Sequence, residues 1–581
     1  MKMFHTAQLG CAISLAVLAA ACDGPKHSAG PVKITLNPCT PTGTLTLSPA
    51  TTALIDCSGG GTTLTLAGNG ASYLIVPQFP TDQAANQFVD YHLFTGDVAA
   101  ASASVTRARA TRASLMAAVA AAPHAPQGRN LFAQHAAERA LRARAARRPR
   151  PNIGASVRRQ VSRAVTPPLG SLRSFHVASS FTLNTWATVG ATLAYAGTNV
   201  LIYIDTLAPA NGFTPTQLTN FGQLFDQTLY PIDTTAFGGP ADIDANGHVI
   251  MLMTPVVNAD SPSSTCATQG FVAGFFDSGD FGSSGANANN GEIFYSIVPD
   301  TAGTVSCAHG VGEVGADVPG TFLHELQHLI NYSQHVVING GAPSSSWLDE
   351  GMSIVAEELG SVYYEQKCPP PACRTSPAQL FPDSSQGFIQ DFLFDSYQYA
   401  LFPDTATITL STDDENGFSW RGGAWLFARW LGDQKGSTVY GQLERGPSNG
   451  IADLEQVTQQ SFQTLFSNFG IALYADSLPG LPRTTAPPAN RFVSRNVRQL
   501  WARLFATSAG SDVPTANPLL LIPVNTDSSA AILLPGTMTF FRLDTPANES
   551  TVTIQFSANG GLPFAPLLNP QLAVFRLPPG Q

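Results

Sequence analysis

Beyond its first stretch the chain has no apolar run long enough to cross a bilayer, which excludes a multi-span membrane protein. The 581 residues show no internal repeat, which removes solenoids and propellers. Histidine is scarce, with eleven in all and none after His335, so chemistry that needs an imidazole is confined to the part of the chain before that point. Cysteine is scarce as well. Setting aside Cys11 and Cys22, six of the eight remain: Cys39, Cys57, Cys266, Cys307, Cys368 and Cys373. An even count in an exported chain reads as disulfides, and proximity favours the pairs 39–57, 266–307 and 368–373. The spacing does not suit a cysteine-bound metal. Acidic residues are nearly missing from one region, where thirteen arginines between Arg107 and Arg163 face a single acid, Glu138.

That region carries a charge of about +12 against −10 for the whole chain, leaving about −22 elsewhere. It lacks interleaved aromatics, so nucleic acid is not the expected partner; an exposed linker or pro-segment is. Around it, composition divides the chain. Residues 1–21 have Lys2, an apolar run from Leu9 to Ala20 and small residues before Cys22, the pattern of a secretory signal. Ala19-Ala20-Ala21-Cys22 resembles a bacterial lipobox, which makes Cys22 a lipid anchor and the only expected membrane contact. Residues 22–99 read as an N-terminal β domain, 100–171 as the Ala/Arg segment, 172–484 as the main block and 485–581 as a C-terminal β-sandwich.

Within the main block stands His324-Glu325-Leu326-Gln327-His328. On a helix, residues four apart lie one turn above each other, so both imidazoles point into one space and can share a Zn²⁺. Glu325 is then placed to take a proton from metal-bound water. Apolar residues at 322, 323, 326, 329 and 330 predict a buried helix over 318–332, with Asp317 as N-cap and Pro319 in its first turn. A Gly three residues and a His six residues after the second motif histidine would mark a metzincin. Asn331 and Gln334 occupy those positions, and His335 comes one residue late, which excludes that class.

The remaining ligand must come from Ser346–Glu358, read as a second helix after a Gly/Pro/Ser loop. Asp349, Glu350, Glu357 and Glu358 compete there. Glu357 shares the face of Glu350 but lies about 10 Å further along the axis, and Asp349 and Glu350 point about 100° apart, so both cannot face the metal equally. This helix pair, with Trp347-Leu-Asp-Glu-Gly-Met-Ser353, resembles the gluzincin metallopeptidases. With Phe237–Gly247, Asn290–Tyr295 and Arg421–Phe427, the likeness over roughly residues 175–480 is to the hyicolysin family of secreted bacterial metallopeptidases.

The resemblance implies an α+β, zincin-like metallopeptidase domain flanked by small β domains. It implies an exported endopeptidase for protein or peptide substrates, with Zn²⁺ on His324, His328 and Glu350 and with Glu325 as general base. A surface binding protein with a decayed peptidase fold and a zinc exopeptidase are the alternatives; the intact motif speaks against the first, and the lack of a terminus-binding motif against the second. With no histidine downstream, oxyanion stabilisation falls to Tyr397, Tyr399, Arg421 or backbone. Glu357, Glu358 and Asn331 are candidates to orient the ligand imidazoles. The resemblance also suggests Asn290–Ile297 as a cleft-edge strand for extended substrate. Asp242-Ile-Asp-Ala-Asn-Gly247 opens like a calcium loop but lacks its closing Glu, so a hairpin turn at Asn246-Gly247 is preferred.

Overall fold

The computed structural model describes residues 37–38, 44–57, 63–83, 88–95, 132–147, 166–180, 185–282, 287–367, 383–410, 418–446, 448–484, 486–508, 513–524, 529–558, 561–565, 568 and 570–581. It mixes helix and sheet, as expected for an α+β chain. The signal segment, Cys22, Cys39, Cys368 and Cys373 lie outside the described residues.

A six-stranded mixed sheet opens the main block. Its strands are β1 (Leu172–Ser180), β2 (Thr185–Ala196), β3 (Val200–Asp205), β4 (Val249–Met253), β5 (Gly274–Phe276) and β6 (Ile293–Ser296), in the spatial order β5-β6-β4-β3-β2-β1. The Val-Ile-Met-Leu-Met run of β4 is buried along its whole length, as a central strand covered on both faces must be. It pairs in parallel with β3 and with β6, in the registers Ile250↔Leu201 and Ile250↔Ile293. Asn246-Gly247 therefore does not close a hairpin. It belongs to a loop between the helix Tyr230–Phe237 and β4, tied by Asp242 accepting from the Gly247 N–H at 3.1 Å. Nor is the 290–297 strand at the edge. β6 is flanked on its outer side by antiparallel β5, whose Phe275 faces Tyr295, so β5 is the cleft edge.

Helices cover the sheet. Those that matter here are α1 (Phe132–Arg147), α2 (Val311–Tyr332), α3 (Ser346–Lys367), α4 (Asp383–Leu401) and α5 (Phe418–Lys435). α2 begins well before the expected Asp317 cap. The Gly310 N–H is held by Glu313 at 3.3 Å, and Pro319 lies inside the helix. The following residue sits at a close helix contact. A Cβ on Gly320 would come within 2.8 Å of the Gly387 carbonyl, so α2 and α4 touch backbone to backbone there. Gly351 does the same for α3 and α5, since its Cβ would meet the Ala424 carbonyl at 2.8 Å. That close approach brings Arg421, one turn before Ala424, beside Glu350.

The flanking β segments correct the domain boundaries. Strand Gln571–Arg576 runs antiparallel between Thr52–Asp56 and Ser72–Gln78. Strand Thr551–Ser557 likewise lies between Thr63–Ala67 and Val89–Thr95. The expected N-terminal domain and C-terminal sandwich are thus two contributions to one pair of sheets. Their inner faces share a core that includes Leu64, Ile75, Tyr91, Phe541, Ile554 and Leu572. Thr63–Ala67 and Thr551–Ser557 alternate apolar with polar residues and cannot bury their apolar faces without a second sheet, whereas Ser72–Gln78 and Gln571–Arg576 are buried almost throughout.

The Ala/Arg segment departs from the exposed-linker half of its expectation. Part of it is not an exposed linker but α1, and Gln134, Ala137, Glu138 and Leu141 on that helix are buried. Among the described residues, no helix is long and apolar enough to cross a membrane. Of the expected disulfides, Cys266–Cys307 is formed, and Cys57 is disulfide-bonded.

Candidate metal centre

α2 and α3 pack as the spacing of their motifs requires, and His324, His328 and Glu350 converge in the interior. The two Nε2 atoms are 3.1 Å apart. Glu350 Oε2 lies 3.6 Å from His324 Nε2, and its Oε1 lies 3.7 Å from His328 Nε2. All three residues are buried, and their ligand atoms fall within 4.8 Å of one another. Two imidazoles and a carboxylate facing one point in the interior form a donor set that suits a zinc ion with one position left for solvent or substrate.

The far nitrogens of both rings are engaged. His324 Nδ1 meets Glu357 Oε1 at 2.7 Å, and His328 Nδ1 lies 3.0 Å from Asp349 Oδ1. Carboxylates on the outer nitrogens aim each ring and leave Nε2 to face the centre. Burial and the neighbouring His328 charge lower the His324 pKa well below its usual value, so it is neutral and fit to ligate. Burial pushes His328 the same way, but Asp349, Glu325 and Glu138 together raise this ring.

Of the suggested supports, Glu357 is in place. Glu358 points away to Arg495 Nε at 2.8 Å and the Trp425 indole N–H at 3.1 Å. Asn331 interacts with Glu444, beside Gln327, and not with a ligand imidazole. Asp349, weighed beforehand only as a rival ligand, is the partner of His328. The signal was its position: one residue before Glu350, it turns away from the point between the rings and towards the outer side of His328.

Glu325 is 1% exposed, and its Oε2 accepts the Phe276 N–H of β5 at 2.9 Å. Burial pushes its carboxyl up to about 7, against the opposing pull of His328. Of the oxyanion candidates, Tyr397 donates its hydroxyl to the Thr515 carbonyl at 2.6 Å, and Tyr399 packs over Gly423. Neither lines the cavities beside the histidines. Arg421 is at the centre, with Nη2 at 2.6 Å from Glu350 Oε2.

The residues that sequence reasoning missed all come from α1. Glu138 Oε2 takes Arg421 Nη1 at 2.6 Å, while its Oε1 lies 3.9 Å from His324 Nε2. Burial opposes ionisation of Glu138, but Arg421 holds its pKa well below the ordinary value. Arg142 contacts Glu350 directly. The one available signal was that Gln134, Glu138 and Arg142 fall at four-residue intervals on one helix face.

A buried His-His-Glu set with an adjacent glutamate is the arrangement of metal-dependent hydrolases. The comparisons agree at that level. The chain is similar to the neutral metalloprotease ShpI of Staphylococcus hyicus, with 27% identity over 192 residues. The match covers 33% of this chain and 40% of that protein. No family model matches the chain. The likeness and the metal-binding cluster together support a metallopeptidase.

Proposed function

We propose that the chain is an exported zinc metalloendopeptidase of hyicolysin-like, gluzincin type, with a zincin-like catalytic block. The observation that carries this reading is the convergence of His324, His328 and Glu350 beside Glu325, with edge strand β5 running past it. His324, His328 and Glu350 would hold the ion. Zinc bound there supplies a Lewis acid and makes water acidic enough to attack at neutral pH.

The chain's own groups do the rest. Glu325 Oε2 is fixed by the Phe276 N–H, and the carboxylate accepts a proton and hands it to the leaving amine, a role suited to a group whose pKa stands near neutrality. Glu357 and Asp349 keep the imidazoles oriented. Arg421 offers a guanidinium to the developing oxyanion. β5 presents backbone donors and acceptors to an extended peptide, which aligns the scissile bond with the centre.

The test is metal analysis with a casein assay. The protein should hold about one zinc per chain, as one closed donor set implies, and should lose activity on chelation. Glu325→Gln should retain the zinc while losing roughly 10²–10⁴-fold in rate, the range for a removed general base. A wild type that binds no metal and cleaves nothing would refute the proposal.

A further inference from the structure

α1 lies across the centre just described. Its Gln134 side chain bonds one acceptor and one donor of the backbone at the start of β5. Nε2 donates to the Gly274 carbonyl at 2.8 Å, and Oε1 accepts the Ala273 N–H at 3.0 Å. Those are backbone groups of the edge strand and the residue before it, the ones an extended substrate would pair with. The same Nε2 reaches Glu325 Oε1 at 3.4 Å. One turn on, Glu138 stands over the histidines, and its carboxylate, His324 and Glu325 bring ligand atoms within 4.8 Å of one another. A further turn brings Arg142 onto Glu350. Arg144 then anchors the end of the helix, at 2.6 Å from Asp277 and over the Trp186 ring at 5.0 Å from its centroid. The helix divides the cleft into two cavities, and Glu138 and Glu325 line both.

We propose that α1 is an internal inhibitor of the centre, with Gln134 taking the place of substrate backbone on β5, Glu138 filling the space beside His324 and Glu325 and Arg142 engaging Glu350. This rests on the metallopeptidase reading. A peptide chain and α1 cannot share the cleft, because both need the Ala273 N–H, the Gly274 carbonyl and the space in front of Glu325. Three consecutive turns, at Gln134, Glu138 and Arg142, each place a polar side chain on one of the groups needed for turnover. Displacing the helix frees all of them together, including the Arg421 Nη1 that Glu138 now holds.

The zinc-loaded full chain is assayed on quenched fluorescent casein before and after brief trypsin treatment, with trypsin then blocked by a serine-protease inhibitor. A tethered segment faces its cleft at an effective concentration on the order of millimolar, so a helix of modest affinity should hold the uncut chain down about tenfold or more. Activity should rise as mass spectrometry records loss of α1, and Gln134→Ala/Glu138→Ala should raise the uncut rate by a similar factor. Hydrogen exchange gives a readout independent of turnover. In full-length Glu325→Gln protein, which cannot process itself, α1 amides should be protected, and they should lose protection when the double change is added. If the double variant does not fold, a synthetic peptide of residues 132–147 should inhibit the cut enzyme competitively, and a scrambled peptide should not.

An uncut chain as active as the cut one, unprotected α1 amides, or a peptide without effect would each overturn the proposal. If zinc-loaded protein is inactive both before and after cutting, the peptidase reading falls instead, and exchange protection still decides whether α1 is seated.

Discussion

Glu357 and Glu358 are neighbours on α3, yet changing each to Ala should have opposite consequences. Glu357 is partly exposed and holds His324 Nδ1 at 2.7 Å. Removing such an outer carboxylate leaves the ligand in place but less basic and free to turn, which lowers metal affinity about 10–100-fold. That is roughly 1.4–2.7 kcal/mol of binding, with little effect on the fold. Glu358 is fully buried and serves Arg495, the Trp425 indole and, at 3.6 Å, Arg429. Its loss strands buried guanidinium charge, which costs about 3–5 kcal/mol of folding stability, and it touches no ligand. The assay pairs competition of each metal-free variant with a chromophoric zinc chelator against its urea denaturation. Glu357→Ala should shift the zinc constant and keep the urea midpoint; Glu358→Ala should do the reverse. If Glu358→Ala loses zinc at an unchanged midpoint while Glu357→Ala binds normally, the assignment of the outer carboxylates is wrong.

Other outcomes follow from separate parts of the molecule. The Cys266–Cys307 bridge closes a separation of 41 residues, and on chain-entropy grounds Cys266→Ser/Cys307→Ser should lose about 4 kcal/mol of stability, read by calorimetry. Glu292 is raised to about 8 by burial, with Asp244 and Asp242 adding to the effect and the Ile243 N–H opposing it. A carboxyl raised on folding contributes its full stability below the unfolded pKa, near 4.5, and loses it as pH climbs towards 8. Glu292→Gln should therefore flatten the decline in melting temperature between pH 5 and pH 8, a window on the order of these values; an unchanged slope would assign the decline to other groups. We also propose lipid anchoring at Cys22, for which Cys22→Ser should move the protein from the membrane to the soluble exported fraction. Unaltered fractionation would remove the anchor without touching the peptidase reading.

The His-His-Glu cluster was legible because it is mostly local. His324 and His328 are one helical turn apart, and Glu350 follows within a single helix–loop–helix, so periodicity and chain length constrain all three. Asp349 was harder. Its role depends on the rotation of α3 against α2, which close contacts such as Gly351 on Ala424 determine. α1 was barely legible, through the four-residue spacing of Gln134, Glu138 and Arg142 alone. Its Ala/Arg composition shows no apolar period, and what seats it is polar: Gln134 on Glu325 across 191 residues of sequence and Arg421 on Glu138 across 283. The two β segments misled for a related reason. Alternation showed that each contains strands, but strand pairing between remote segments leaves no mark in either one.

That pairing has a consequence for how the molecule is made. The Gln571 side chain reaches Asp56, 515 residues earlier, and its strand is an interior strand of its sheet with partners on both sides. During synthesis Thr52–Asp56 and Ser72–Gln78 therefore wait, with open edges, while the whole catalytic block is produced. Unpaired edges are sticky, and closure over such a distance is slow. The sheets can close only after the helices between them have had time to pack, so the block that carries the chemistry is the part able to fold first, with α1 close at hand in the chain. Truncation before residue 571 would not trim an end; it would remove an interior strand and leave two earlier segments without their partner.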